Sequence, residues 1–271
     1  MKWSLLILVF VLASCRIERK IYSPLPVNNP SLQKKNDFSV NASVSTPLAF
    51  DFNGGFAVSN RLAILAGVYT HRNKDVEEHW GLFIPDSHDS STLVYRHNGF
   101  TLGAGTFFPI GGEGSSVYVS FFAGINKGKF RMNEEFYEIE PNPSSRVNQY
   151  KSDLDRWFMQ GSINHYARRI EGSFTVRYNL VEYKKVATDY TNDQMTSFHL
   201  PPAVSKRTNS FIDLSLDLKT FFSKDLRLGV LFYALGSVRT NPAKNGDNNN
   251  FYHYYRGRVG AGIFFRGFAG K

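Results

Sequence analysis

The chain has 271 residues, a formal net charge of +9 and one cysteine, and 15% of it is aromatic, with 24 Phe and 14 Tyr. One cysteine excludes an internal disulfide framework and a CxxC metal site. Lys and Arg are scattered, with no basic helix and no binding module. The positive surplus therefore points away from nucleic acid and toward anionic lipid phosphates. The length admits one or two domains, and a chain rich in strand-forming aromatics yet polar overall predicts alternation.

Residues 1–14 read as a signal peptide. Lys2 supplies the positive end, residues 5–12 an apolar run, and Ala13 and Ser14 the small residues before a cleavage point. The run is too short to cross a bilayer, which takes about 20 apolar residues. RIERK, four of its five residues charged, ends it at once. The stretch LASC, formed by Leu12, Ala13, Ser14 and Cys15, resembles the lipobox of bacterial lipoproteins. That resemblance implies cleavage before Cys15 and acylation of its sulfur and new amino terminus with chains such as palmitate. A non-lipidated signal peptide cut nearby is the alternative.

Residues 15–36 carry three prolines, three asparagines and five Lys or Arg without apolar periodicity, and read as a lipidated tether. From residue 37 to 271 the period becomes two. Phe38, Val40, Ala42 and Val44 share one face, with Ser39, Asn41 and Ser43 on the other. Ten such segments are expected at 37–46, 48–58, 61–71, 95–108, 116–126, 156–166, 169–183, 210–222, 226–237 and 252–266. A helix would smear these apolar positions around its circumference. Tight connections (SN at 59–60, IGGEGS, AR at 167–168, SKD at 223–225) alternate with long polar ones near 72–94, 127–155, 184–209 and 238–251. That asymmetry predicts an all-β, up-and-down antiparallel transmembrane barrel of about ten strands, with its turns in the periplasm. An even strand count predicts both termini at the periplasmic rim, with Cys15 anchored there.

In such a barrel the polar phase points inward, where charges must pair. Asp51, Glu171, Arg177, Asp213, Asp217, Lys219, Arg227, Arg256 and Arg258 fall on it, four acids and five bases. Doubled aromatics near segment ends (Phe107-Phe108, Phe121-Phe122, Phe221-Phe222, Tyr254-Tyr255, Phe264-Phe265) suit girdles. Side chains are expected to fill most of a lumen this small, leaving no wide channel.

The phrases YSPLPVNNP and HNGFTLGAGTFFPIGGEGSSVYVSFFAG, together with LASC, resemble small outer-membrane barrels of Bacteroidota, many of them lipoproteins. The resemblance implies a cell outer-membrane location, with outer-membrane lipid, lipopolysaccharide and the assembly machinery as partners. Such barrels end on an aromatic that this machinery reads, whereas here Ala-Gly-Lys follows Phe268. The expected role is non-enzymatic, structural or surface-interacting, through four long loops that meet an extracellular partner of unknown identity.

Catalytic patterns are sparse. Ser87-His88-Asp89 has triad residue types, but sequence neighbours project apart. His79 with Glu77, Glu78 and Trp80 reads as a solvated loop. No HExxH, GxSxG or phosphate-cradling loop occurs, so no metal, cofactor or catalytic residue is expected. One alternative is a lipid A-modifying barrel enzyme, with His71 and His253 near the loop-side rim. Another is a soluble periplasmic calycin-like lipoprotein carrying an apolar ligand, in which every apolar face points inward.

Overall fold

The computed structural model describes residues 19–78, 90–112, 115–138, 144–197, 200, 208–222, 225, 227–240 and 253–267. Ten strands close into one barrel: β2 (Phe38–Thr46), β3 (Ala49–Ala57), β4 (Leu62–Glu78), β5 (Ser90–Pro109), β6 (Val117–Glu138), β7 (Ser144–Ala167), β8 (Ile170–Thr188), β9 (Thr208–Phe221), β10 (Leu228–Arg239) and β12 (Gly257–Gly267). Chain neighbours pair antiparallel throughout, and β12 closes the ring between β10 and β2. Three further elements lie outside the ring. These are β1 (Lys20–Tyr22), the short helix α1 (Asn192–Ser197) and β11 (His253–Tyr254).

Alternation does what the period predicts across the lower barrel. On β2, Ser39, Asn41, Ser43 and Ser45 are buried while Phe38, Val44 and Thr46 are exposed. On β9, Leu214, Leu216 and Leu218 face out between buried Asp213, Ser215, Asp217 and Lys219. An exposed apolar belt over polar interior residues is the wall of a membrane barrel, because only lipid tolerates that much bare hydrocarbon. It is also the reverse of the calycin-like alternative, which this wall excludes. Among the described residues no helix is long and apolar enough to cross a membrane.

Three expectations are corrected. First, β4 to β8 run well past their predicted ends, so the chain near 72–78, 90–94, 127–138 and 144–155 is strand rather than loop. In this part the phase inverts. Leu93, Tyr95, Phe130, Met132, Tyr150 and Leu154 are buried, while Arg72, Arg96, Lys127, Lys129, Arg131 and Lys151 stand outward and exposed. The strands have left the belt, and water outside now calls for the polarity of an ordinary soluble barrel.

Second, residues 20–33 are not a tether lying outside the barrel. β1 pairs in parallel with β11, Lys20 opposite His253 and Tyr22 opposite Tyr254, at the loop-side rim. From there residues 21–32 are buried all the way down toward the start of β2. The segment descends through the lumen, and Asn36 donates its amide to Ala57 O (2.7 Å) at the turn-side rim.

Third, the described chain therefore begins and ends at opposite rims, Arg19 on the loop side and Gly267 on the turn side. An even strand count fixes where the ring's own ends lie, but says nothing about a segment threaded before the first strand.

The doubled aromatics divide between faces, as neighbours on a strand must. Phe107, Phe122, Phe221 and Phe264 turn inward, while Phe108, Phe121, Phe222 and Phe265 face out. Half of each of these pairs builds a girdle and half builds the lumen. Phe107 and Phe122 pack with Leu32, Ala57, Ala63 and Leu65, and Phe221 and Phe264 with Leu231 and Tyr233. The turns close as their residues require. Ser59 Oγ accepts from the amides of Arg61 (3.2 Å) and Leu62 (3.0 Å). Gly111 and Gly112 take φ of 92° and 98°, which side chains resist.

Candidate functional site

The lumen is where the wall brings its polar residues together, and the threaded segment is what they hold. Residues 23–33 have no ladder of their own, so their backbone groups must be satisfied by inward side chains. At the loop end Tyr22 stacks on Phe211, ring centroids 3.7 Å apart and planes 3° from parallel. It sits in an apolar cluster with Ile21, Phe130, Met132, Tyr183 and Met195. Met195 comes from α1, which opens on a reciprocal cap. Gln194 N donates to Thr191 Oγ1 (3.2 Å), and Thr191 N donates to Gln194 Oε1 (2.9 Å). Glu134, fully buried, receives Arg19 and the Tyr190 hydroxyl (2.6 Å). Burial, with the Glu134 carboxylate beside it, holds that tyrosine's pKa well above its ordinary value.

Below this cap, Arg258 Nη2 donates to Ser23 Oγ (2.9 Å) and lies beside His71. Asp51 Oδ1 is 3.2 Å from His71 Nε2, and Asp51 Oδ2 is 3.8 Å from Arg258. A tautomer with Nε2–H donating to Asp51 Oδ1 leaves Nδ1 to accept from Arg258 Nη2 (2.9 Å). Arg177 reaches the carbonyls of Leu25 (3.3 Å) and Pro26 (3.4 Å) and Gln160 Oε1 (3.0 Å). Gln160 Nε2 donates to Asn28 O (2.9 Å). Asn28 Nδ2 donates to the carbonyls of Gly54 (2.9 Å) and Ala66 (3.0 Å), and Asn29 Nδ2 to Asn164 Oδ1 (2.6 Å). Lower still, Lys219 Nζ bridges Glu171 (2.7 Å), Ser31 Oγ (2.9 Å) and Asn29 O (2.9 Å). Gly55 clears a path, since a Cβ there would lie 2.6 Å from Pro30.

Of the nine residues placed on the interior phase, seven are buried in the lumen: Asp51, Glu171, Arg177, Asp213, Asp217, Lys219 and Arg258. Only two acid–base pairings arise among them, Glu171–Lys219 and the longer Asp51–Arg258 contact. Asp213 accepts instead from Asn179 (2.8 Å) and Tyr22, Asp217 from Ser173 (3.1 Å) and Ser215 (3.0 Å). Arg227 and Arg256 are exposed, contrary to expectation. Arg227 pairs with Asp225 (3.2 Å) in the turn before β10, and Arg256 lies in the bend between β11 and β12, outside the alternating stretches. Buried Arg156, Arg266 and Glu134 were missed. Glu134 lies where β6 outruns its predicted end, whereas Arg156 opens the predicted segment 156–166 on the phase of Gln160 and Ser162 and Arg266 closes 252–266, so alternation could have found both.

His71 is buried and engaged by Asp51 and Arg258 rather than open at the rim. His253 is in β11 and opposes Lys20. His79, Trp80, Ser87, His88 and Asp89 lie outside the described residues, as do the side chains of Glu77 and Glu78. No group of three or more His, Cys, Asp or Glu suited to a metal ion occurs among the described residues.

The sequence matches no protein-family model and no curated protein. Solved structures do resemble the fold. The outer-membrane protease OmpT from Escherichia coli aligns at 10% identity and TM-score 0.45, over 86% of this chain and 92% of that one. A major outer-membrane protein from Thermus thermophilus aligns at 12% and 0.35, over 85% and 99%. The KdgM porin, solved with oligogalacturonate, aligns at 10% and 0.30, over 84% and 98%. At these identities and scores none assigns an activity or a ligand to this chain.

Proposed function

We propose that this chain is a non-enzymatic barrel lipoprotein of the cell outer membrane, closed to flow, whose loop-side extension acts as a structural or surface-interaction platform. The observation that carries this reading is the occupied lumen. Residues 21–32 are buried along the barrel axis and held by Arg177, Gln160, Lys219 and Arg258. A pore would need that space, and a catalytic His71 would need access that Arg258 and Ser23 deny. In planar bilayers the full chain gives no large, stable conductance; such a conductance would contradict the proposal.

The lipoprotein part rests on Leu12, Ala13, Ser14 and Cys15. Cys15 precedes Arg19 by four residues, a reach of at most about 14 Å of chain. With turns in the periplasm, acyl chains on Cys15 would enter the leaflet on the loop side, not the periplasmic leaflet. Labelling with a fatty-acid analogue is expected for the native chain and lost in Cys15→Ala, while the variant barrel stays sarkosyl-insoluble and heat-modifiable. A soluble periplasmic Cys15→Ala protein would overturn the membrane-barrel reading itself.

A further inference from the structure

On the outer wall just above the apolar belt lies a row of cations that the closed lumen does not explain. Arg72 of β4 opposes Arg96 of β5, Arg96 opposes Arg131 of β6, and Arg131 opposes Lys151 of β7. All four are exposed, and none makes an ion pair with an acid among the described residues. Lys74, Lys127 and Lys129 extend the same exposed surface. Two acids on this face are already engaged. Asp153 and Asp155 are the register partners of Lys129 and Lys127, but they face Lys185 (3.2 Å) and Lys184 (2.6 Å) of β8.

Like charges directly opposite across strands repel, and here three successive pairs do so on adjoining strands. Such an arrangement is relieved by an anion that bridges them. Height on the wall identifies which. Along β4 the outward residues run Val68, Thr70, Arg72, and along β5 Phe100, Asn98, Arg96, so on these strands the cations begin two residues past the first polar side chains above the belt, while on β6 the outward run Ile125, Lys127, Lys129, Arg131 is cationic from the belt's edge. That is the level of lipid headgroups. Guanidinium groups match phosphate oxygens bidentately, and a row of them spanning three strands suits a headgroup with more than one phosphate.

We propose that Arg72, Arg96 and Arg131 form a binding site for the phosphorylated headgroup of lipopolysaccharide in the loop-side leaflet. The inference rests on the reading of a membrane barrel with its long loops outward. Its test uses the full chain, purified and folded in detergent micelles, titrated with bisphosphorylated lipid A and with dephosphorylated lipid A. The Arg72→Gln/Arg96→Gln/Arg131→Gln variant is expected to bind the bisphosphorylated form about ten-fold more weakly or worse, as lost charge-assisted contacts dictate. Removing the phosphates from the lipid should weaken binding to the native chain similarly, and added salt should erode it. Arg227→Gln, at the opposite rim, should bind like the native chain.

Equal affinity of the triple variant, or equal affinity for the dephosphorylated lipid, overturns the site. Arg96→Gln alone should give a smaller loss of the same sign, which keeps the test decisive if the triple variant does not close. Heat-modifiable migration is scored on the same samples. A native chain without it fails as a membrane barrel, whereas a heat-modifiable barrel indifferent to phosphate fails only as a lipopolysaccharide site.

Discussion

The lower barrel, walled by all ten strands, and the upper extension built by β4 to β8 have opposite polarity. Below, Leu214, Leu216 and Leu218 face out over Asp213, Asp217 and Lys219; above, Arg96, Arg131 and Lys151 face out over Tyr95, Phe130 and Tyr150. Strand geometry is indifferent to the change, since the hydrogen-bonded ladder runs unbroken from Val117 to Glu138 on β6. What changes is the solvent outside. Lipid selects an apolar exterior and leaves the interior to be filled by paired polar groups, while water selects a charged exterior and permits an apolar core. The threaded segment follows the same division. Ile21 and Tyr22 meet the apolar cluster above, and Asn28, Asn29 and Ser31 meet the polar network below.

That contrast can be broken residue by residue. The largest loss should come from Lys219→Ala, which leaves Glu171 buried without its cation and Ser31 and Asn29 without their donor. Breaking a buried pair costs about 3–5 kcal/mol, read as a shift in urea unfolding of the barrel folded in vesicles. Leu216→Arg, in the middle of the belt, should cost about 2–4 kcal/mol in a bilayer. Gly55→Leu drives a side chain into Pro30 and should cost about 1–3 kcal/mol by overpacking, together with faster proteolysis of residues 20–33. Arg227→Ala, in an exposed turn pair, should change stability by less than about 1 kcal/mol. Val76→Arg, outward on the extension, should stay within about 0.5 kcal/mol; a cost there equal to that of Leu216→Arg would remove the division between lipid and water.

How far the sequence carried the fold depended on which half was being read. Alternation with apolar residues outward located the ring, its ten strands and seven of its lumen charges. It stopped where that rule inverts, near Arg72, Lys127 and Arg156, because charged residues in period two resemble polar loop when the search is for hydrophobic faces. YSPLPVNNPS was illegible for a different reason. Proline and asparagine without periodicity mark a linker when the segment must satisfy its own backbone in water, yet here Arg177, Gln160 and Lys219 do so from the wall. A lumen lined with donors thus accommodates a sequence that no isolated element could use.

Occupation of the lumen by residues 20–33 is open to a direct test. Asn29 and Asn164 touch side chain to side chain at 2.6 Å, although 135 residues separate them. Asn29→Cys with Asn164→Cys, in a Cys15→Ser background, should bridge upon oxidation of the folded barrel, and the intact chain should show the altered gel migration of a closed loop. A folded, heat-modifiable barrel whose two cysteines never bridge, and which both react freely with a water-soluble maleimide, would place residues 20–33 outside the barrel and contradict the account.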